Sequence, residues 1–364
     1  VDATLLAETI DDVVVGTDSG RMRSPDLHAD PLYGWVRTSA AEAQTVARAS
    51  AASLTLAACR QRGYVFAGRP VDLPSVAELL QSTRFVLVQD IVLPRFAAGS
   101  SPSSSVVRRH PPGRAIQVAR DLAASAKVCL LASAHAYRLG GNFLSGGPHA
   151  QEESLCMQST LFPSLTVAEE ASQQLPLKRA SVLRPSTRRD GSPWQCMIPE
   201  DGVILSPGVE LFRGDASEGY PFLPEPVALA AVATLSMPNF NAQVWDAPID
   251  APDDDEEYHD VIRDKFVAAF GAARLAGAVT VVIPDLGCGE YGNPPDRVGR
   301  ILGEVLRDEF AEAFKEVHIV GGDVFLDAVD AGRVPRTPSN GMPSPKAGPP
   351  SPGKVKSPGR SAGA

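Results

Sequence analysis

Cysteine pairs are missing from this sequence. Its 364 residues include five cysteines, which are widely spread and contain no Cys-x-x-Cys pair. Zinc sites and disulfide frameworks normally leave closely spaced cysteines, so neither is predicted. No group of His, Cys and Asp stands at metal-ligand spacing, and we expect no metal and no other cofactor. A reducing compartment is the simplest interpretation of this cysteine usage.

Long apolar runs are also missing, and we expect no leader peptide. No stretch approaches the roughly 20 apolar residues that a membrane helix requires. The first residues carry acids and lack the basic start and apolar run of a signal peptide. We therefore expect a cytoplasmic or nuclear protein without membrane contact. The formal net charge of -9 argues against a body that wraps nucleic acid.

Strand-like and helix-like patterns alternate along the middle of the chain. An alanine-rich stretch at 39–63 ends on a glycine and predicts a helix. Apolar runs of strand length occupy 127–133 and 279–284, and each leads into a glycine-rich loop. A further helix is predicted at 297–314. This alternation predicts an α/β fold of three layers.

Composition divides the rest of the chain into segments. Residues 1–34 form an N-terminal extension without an assigned role, and the folded domain is predicted at 35–330. Within it, a Ser/Pro/Gly-rich loop is predicted at 97–114 and a polar insertion at about 166–201. Residues 331–364 lack acids and are basic and rich in proline and serine, which predicts a disordered tail. Nucleic-acid contact is expected only through this tail.

A glycine cluster beside two acids is the centre of the sequence. The stretch from Gly140 to Leu155 reads GGNFLSGGPHAQEESL and closely follows the predicted strand at 127–133. Glycine backbone can approach a ligand and direct N–H groups at anionic oxygens, and two neighbouring acids can move a proton. Glu152 and Glu153 precede a predicted helix, where a carboxylate is favoured electrostatically. Adjacent residues point in different directions, so different roles are expected for them.

A second glycine-rich loop repeats this arrangement. DLGCGEYGNPP at 285–295 also follows a predicted strand and precedes a predicted helix. Ligands bind at the carboxyl ends of strands in open α/β sheets, so the two loops are candidates for one site. GGNFLSGG is not the Rossmann fingerprint, and it is not a P-loop because no lysine follows. A phosphate-binding hydrolase site of another kind is therefore predicted.

The ordered motifs QEESL, SPGVELFRG, PNFNAQ and LGCGEYGN resemble the bacterial-type poly(ADP-ribose) glycohydrolase family, in which GGG and a short spacer precede QEE. The resemblance spans 39–320. It implies a macrodomain-like fold with a central mixed sheet flanked by helices. It also implies a hydrolase that cleaves the ribose–ribose O-glycosidic bond of poly(ADP-ribose). The expected partner is ADP-ribose or its polymer on modified proteins, and a monomer is expected.

The resemblance also implies roles for individual residues. Glu153 matches the catalytic acid, which protonates the departing ribose oxygen and then activates water. Glu152 would hold ribose hydroxyls, and Gln151 would support the loop. Tyr291 stands where the family usually has Phe and would pack against the distal ribose. The full set of ADP-ribose-binding positions is Gly140, Gly141, Asn142, Gln151, Asn239, Phe240, Gly287, Cys288, Gly289, Glu290, Tyr291, Gly292 and Asn293.

Two departures from the family pattern leave other interpretations open. Asn142 replaces the third glycine, and Leu130 or Leu131 stands where the family has an asparagine. The alternative is therefore an ADP-ribose-binding macrodomain module with little or no hydrolase activity. A third interpretation is hydrolysis of another ADP-ribose or nucleotide derivative in a pocket reshaped by the insertion. His135 and His149 are interpreted as loop histidines without a catalytic role.

Overall fold

The computed structural model describes residues 40–93, 105–147 and 150–335. The N-terminal extension and residues 336–364 of the predicted tail lie outside the described residues. His149 of the glycine loop also lies outside them.

Helices flank the sheet along the whole domain. In chain order they are α1 (Ala40–Gln61), α2 (Val76–Ser82), α3 (Ala115–Ala123), α4 (Gln151–Gln158), α5 (Leu161–Ser172), α6 (Asp255–Leu275), α7 (Pro295–Asp308) and α8 (Asp323–Arg333).

The strands alternate with these helices. In chain order they are β1 (Gly63–Phe66), β2 (Arg69–Asp72), β3 (Arg84–Leu87), β4 (Val106–His110), β5 (Val128–Ser133), β6 (Gly202–Pro207), β7 (Glu210–Arg213), β8 (Phe222–Ala228), β9 (Ala231–Leu235), β10 (Thr280–Pro284) and β11 (Glu316–Val320).

A seven-stranded mixed sheet forms the middle layer, in the order β3-β6-β9-β5-β10-β11-β4. Strands β9, β5, β10, β11 and β4 are parallel, while β6 pairs antiparallel with β3 and with β9. The predicted mixed sheet flanked by helices is confirmed. Because parallel strands end at one edge, the loops after β9, β5 and β10 lie side by side there.

The two faces of the sheet are covered by different helices. Leu130 in β5 packs in a core with residues of α1 to α5, while Leu131 packs in a core with residues of α6 to α8. Both side chains are fully buried. A strand covered on both faces carries a continuous apolar run, which is why KVCLLAS predicts β5.

Three boundaries differ from the sequence predictions. Strand β4 lies inside the predicted loop at 97–114; it is an edge strand with exposed arginines, so it lacks an apolar pattern. Helix α5 reaches into the predicted insertion. Helix α8 continues two residues past 331 because Gly332 packs closely on Gly303 of α7. Each error falls where packing, rather than local composition, decides the structure.

Among the described residues, no helix combines the length and apolar character needed to cross a membrane. The cysteines of this part of the chain are all free, and Cys288 is the most exposed of them.

Candidate active site

A cavity of about 490 Å³ lies at the edge of the sheet where β9, β5 and β10 end. It is termed the central cavity. The glycine loop and the start of α4 form one wall, and the second glycine loop forms another. Its far end, toward β4, is formed by Gly113 and Ile116. Its size is within the range of cavities that bind small molecules.

Glu153 is held in the central cavity by two backbone donors. It stands in the first turn of α4, and its Oε1 accepts the N–H of Asn142 at 3.0 Å while Oε2 accepts the N–H of Ala150 at 3.1 Å. The residue is 8% exposed and faces the cavity. A carboxylate has about four lone-pair positions, so each oxygen keeps one for a ligand or water.

Glu152 lies beside it in a different environment. Its Oε1 accepts the N–H of Gly140 at 2.7 Å, and its Oε2 accepts the N–H of His135 at 2.8 Å. The pKa of the Glu152 carboxyl is raised to about 8, chiefly by burial. The two N–H donors lower this pKa, and the charges of Glu153 and Asp246 raise it. The two acids thus have different surroundings, as the sequence predicts.

The glycine loop brings its backbone close to these acids. Gly141 has a φ of 51°, and a Cβ there would lie 2.1 Å from Glu153 Oε1. Asn142 does not have a positive φ, so the loop needs no glycine at this position. Gln151 joins α4 to the end of β5, because its Oε1 accepts the N–H of Ser133 at 3.0 Å.

The second glycine loop directs backbone donors at the cavity. Gly287, Gly289 and Glu290 line it, and their N–H groups have no acceptor among the residues that the structure describes. Successive N–H groups without partners form a concave site suited to an anion. Asn293 fixes this loop by donating to the carbonyl of Pro238 at 2.8 Å. The geometry therefore suits a diphosphate group beside the two acids.

Tyr291 closes the cavity between the two loops. Its ring contacts His135 edge-on, with the centroids 6.1 Å apart. Its buried hydroxyl has no hydrogen-bond partner within the described part of the chain. Burial, followed by the charge of Glu152, raises the pKa of the Tyr291 hydroxyl well above its usual value. The hydroxyl is therefore protonated and able to donate to a ligand.

His135 and Asp246 form a pair that sequence reasoning missed. His135 Nδ1 accepts the N–H of Tyr137 at 3.1 Å, and its Nε2 lies 3.2 Å from Asp246 Oδ1. The nearby His135 ring holds the pKa of Asp246 below its usual value. Both residues line the cavity together with Trp245. This contact gives His135 a partner in the cavity wall, and its interpretation as a histidine without a catalytic role stays a prediction.

The predicted site residues divide into two groups. Gly141, Asn142, Gln151, Glu152, Glu153, Gly287, Gly289, Glu290 and Tyr291 line the central cavity. The others stand behind this lining within the described residues: Gly140, Asn239, Phe240, Cys288, Gly292 and Asn293.

Asn239 shows why the second group lies behind the cavity. Its side-chain amide donates to the carbonyl of Pro248 at 2.9 Å, and the residue is 1% exposed. Phe240 packs its ring on Tyr258. These contacts give Asn239 and Phe240 a supporting place behind the cavity, and their predicted part in ADP-ribose binding stays a prediction.

Within the ranges that the structure describes, no group of three or more His, Cys, Asp or Glu side chains is placed to hold a metal ion.

Comparison with known proteins gives one family match. Residues 52–214 match the family model described as microbial-type PARG, catalytic domain, where PARG is poly(ADP-ribose) glycohydrolase. No curated protein matches the chain.

Solved structures of this kind resemble the whole folded domain. The poly(ADP-ribose) glycohydrolase from Thermomonospora curvata is 28% identical, with a TM-score of 0.60 over 79% of this chain and 100% of that chain. Its complex with the inhibitor ADP-HPD is 27% identical, with a TM-score of 0.56 over the same shares. The enzyme from Deinococcus radiodurans in complex with ADP-ribose is 26% identical, with a TM-score of 0.53 over 72% of this chain and 98% of that chain.

The fold and the cavity define the class, a macrodomain-like α/β protein with two glycine loops around a pair of acids. Its segment at residues 52–214 matches the family model of the microbial-type PARG catalytic domain. The resemblance predicted from the sequence is confirmed.

Proposed function

We propose that this chain is a poly(ADP-ribose) glycohydrolase that cleaves the ribose–ribose O-glycosidic bond and releases ADP-ribose. The observation that carries the proposal is the Glu153 carboxyl, held in the central cavity by the N–H groups of Asn142 and Ala150. This carboxyl faces a cavity that also offers a row of unpaired N–H donors for a diphosphate.

Glu153 performs both proton transfers in this proposal. Its protonated carboxyl gives the proton to the departing ribose oxygen as the glycosidic bond breaks. The resulting carboxylate stabilises the oxocarbenium-like sugar and then takes a proton from the attacking water. The two backbone donors keep the carboxyl in place throughout, so little reorganisation is needed.

The remaining residues bind and orient the sugar. Gly287, Gly289 and Glu290 hold the diphosphate through their N–H groups, and Tyr291 packs on the distal ribose. Glu152 positions ribose hydroxyls and, with its raised pKa, carries a proton at neutral pH. Binding energy from the distant diphosphate thus fixes the sugar against Glu153.

One observation favours the second candidate, a binding module with little or no hydrolase activity. Leu130, one of the two residues at the family's asparagine position, is fully buried in the core and offers the ligand no polar group. Losing one neutral hydrogen bond costs about 1 kcal/mol, or about fivefold in rate. That loss slows an enzyme without removing its acid, so hydrolysis remains the favoured function.

Titration of the protein with ADP-ribose, followed by a release assay on poly(ADP-ribose), tests the proposal. We expect ADP-ribose binding and release of ADP-ribose from the polymer. Binding without release would select the binding module. Absence of both would contradict an ADP-ribose site altogether. Light scattering on the same sample tests the predicted monomer.

A further inference from the structure

A second cavity of about 500 Å³ adjoins the central cavity. It is termed the side cavity, and it shares Trp245 and Asp246 with the central cavity. Arg188, Arg189 and Trp194, from the segment between α5 and β6, line its outer part. The segment predicted as an insertion therefore builds a cavity next to the acids.

The side cavity lies on the flank from which a departing group must leave. The loop that holds Glu153 follows β5, which stands between β9 and β10 in the sheet. The N–H donors for the diphosphate follow β10, so a bound ADP-ribose unit extends from Glu153 toward β10. The chain on the other side of the broken bond must continue toward β9. The loop after β9 carries Trp245, which borders the side cavity.

Two arginines of the side cavity form no close ion pair among the described residues, although the charge of Arg188 helps to hold the pKa of Asp190 below its usual value. Arg188 donates from Nη2 to the carbonyl of Tyr137 at 3.3 Å, and its guanidinium lies 5.3 Å from the ring centre of Trp194. Its buried Nε has no partner among the described residues. Neither Arg188 nor the exposed Arg189 forms an ion pair within that part of the chain.

The carboxylates of the side cavity are mostly engaged elsewhere. Asp246 lies 3.2 Å from His135 and 3.7 Å from Arg138. Asp190 accepts both the N–H and the hydroxyl of Ser192, at 2.9 and 2.6 Å. Glu169 remains, and burial raises the pKa of its carboxyl. An anion would therefore meet guanidinium groups with donors still available, and such groups bind phosphate oxygens well.

Trp245 adds a surface for a base. Its side chain is 60% exposed although it stands between two cavities. An exposed indole accepts a stacked purine without regard to sequence. Unpaired guanidinium groups beside a free aromatic face are the chemistry that recognises a nucleoside diphosphate.

We propose that the side cavity binds the next ADP-ribose unit of the polymer, on the leaving-group side of the cleaved bond. Arg188 and Arg189 hold its diphosphate, and Trp245 stacks on its adenine. This inference rests on the proposed glycohydrolase function. The chain would then bind two successive units of the polymer. Its affinity for the polymer should therefore exceed its affinity for free ADP-ribose.

The test compares two ligands in a Glu153→Gln parent, which binds without turnover. Free ADP-ribose reports the central cavity, and poly(ADP-ribose) reports both cavities. In the double variant Arg188→Gln/Arg189→Gln, polymer affinity should fall about tenfold or more, while ADP-ribose affinity stays within twofold. Replacing both arginines by lysine should restore most of the polymer affinity.

Arg179→Gln/Arg274→Gln is the matched control. Both arginines are exposed and lie outside the side cavity, and their replacement removes the same charge. It should change neither affinity. Unaltered polymer affinity in the Arg188/Arg189 variant would contradict polymer binding in the side cavity, and so would an equal fall in affinity for both ligands. Neither result would contradict the proposed function. A parent that binds no ADP-ribose would instead overturn the proposed function. The single variant Arg189→Gln is measured as well, because Arg189 is exposed and its replacement should not prevent folding.

Discussion

The two adjacent acids show how one residue position changes the chemistry of a carboxyl. Both acids line the central cavity, but Glu152 accepts the N–H groups of Gly140 and His135, whereas Glu153 accepts those of Asn142 and Ala150. Helix α4 sets this difference, because consecutive residues of a helix point about 100° apart. The two carboxyls therefore present their remaining lone pairs in different directions, which suits different roles toward a bound sugar.

Glu152 should make stability depend on pH. Its folded pKa of about 8 lies above the ordinary value of 4.5, so the folded state binds this proton more tightly than the unfolded state. The free energy of unfolding should therefore fall as pH rises from about 5 to 8, by up to about 1.4 kcal/mol per pH unit. Denaturant unfolding at several pH values measures this slope.

The comparison is with Glu152→Gln, which cannot titrate. Its unfolding free energy should fall less steeply over the same pH range, whatever its absolute stability. Parallel slopes for the two proteins would show that Glu152 is already ionised in the folded state.

At the scale of elements, the strand, glycine loop and helix unit occurs twice and forms both walls of the central cavity. The first unit is β5 and α4, and the second is β10 and α7. Gly141 is the tightest point of the first loop, because Glu153 occupies the space of its missing side chain. The loop and the helix therefore form one rigid support for the acid.

Gly141→Ala should disrupt that support. Its Cβ would displace the Glu153 carboxyl, and a displacement of about 1 Å can cost a hundredfold in rate. Gly68→Ala is the control, because Gly68 also has a positive φ, of 76°, but its Cβ would meet nothing within 4 Å. It should lose only about 1 kcal/mol of stability. Equal release rates in the two variants would contradict the contact between loop and acid.

The sequence predicts strands and loops correctly where their local patterns, apolar runs and glycine clusters, are strong. The apolar runs of β5 and β10 and the glycine loops that follow them predict where the site lies, and the family resemblance implies the roles of Glu153 and Tyr291 in it. The pairing of His135 with Asp246 was not predictable, because the two residues are far apart in sequence and only the order of β5 and β9 brings them together. Edge strand β4 was missed because its exposed arginines give it no apolar pattern.

At the scale of the whole molecule, the folded domain ends later than its composition predicts. Helix α8 packs along α7, and Arg307 of α7 donates to the carbonyl groups of Gly332 and Val334. These contacts cover residues 332–334, which the sequence assigns to a disordered tail. The boundary of the domain therefore depends on contacts rather than on the basic, proline-rich composition.

Truncation tests this boundary. Deleting 336–364 should leave the melting temperature and the release of ADP-ribose unchanged, because that segment has the composition of a disordered tail. Deleting 332–364 also removes the contacts with Arg307, and it should lower the melting temperature by about 2 °C or more. Equal melting temperatures for the two truncations would contradict the role given to residues 332–334.

The release of ADP-ribose from poly(ADP-ribose) by a Glu153→Gln variant tests the central claim most directly. The amide can still accept a backbone N–H but cannot give or take the proton. Release should therefore fall about a thousandfold, while affinity for ADP-ribose stays within a few-fold. Glu170→Gln, at an exposed acid of α5, is the control and should keep full activity. Turnover at the wild-type rate in Glu153→Gln would contradict the account.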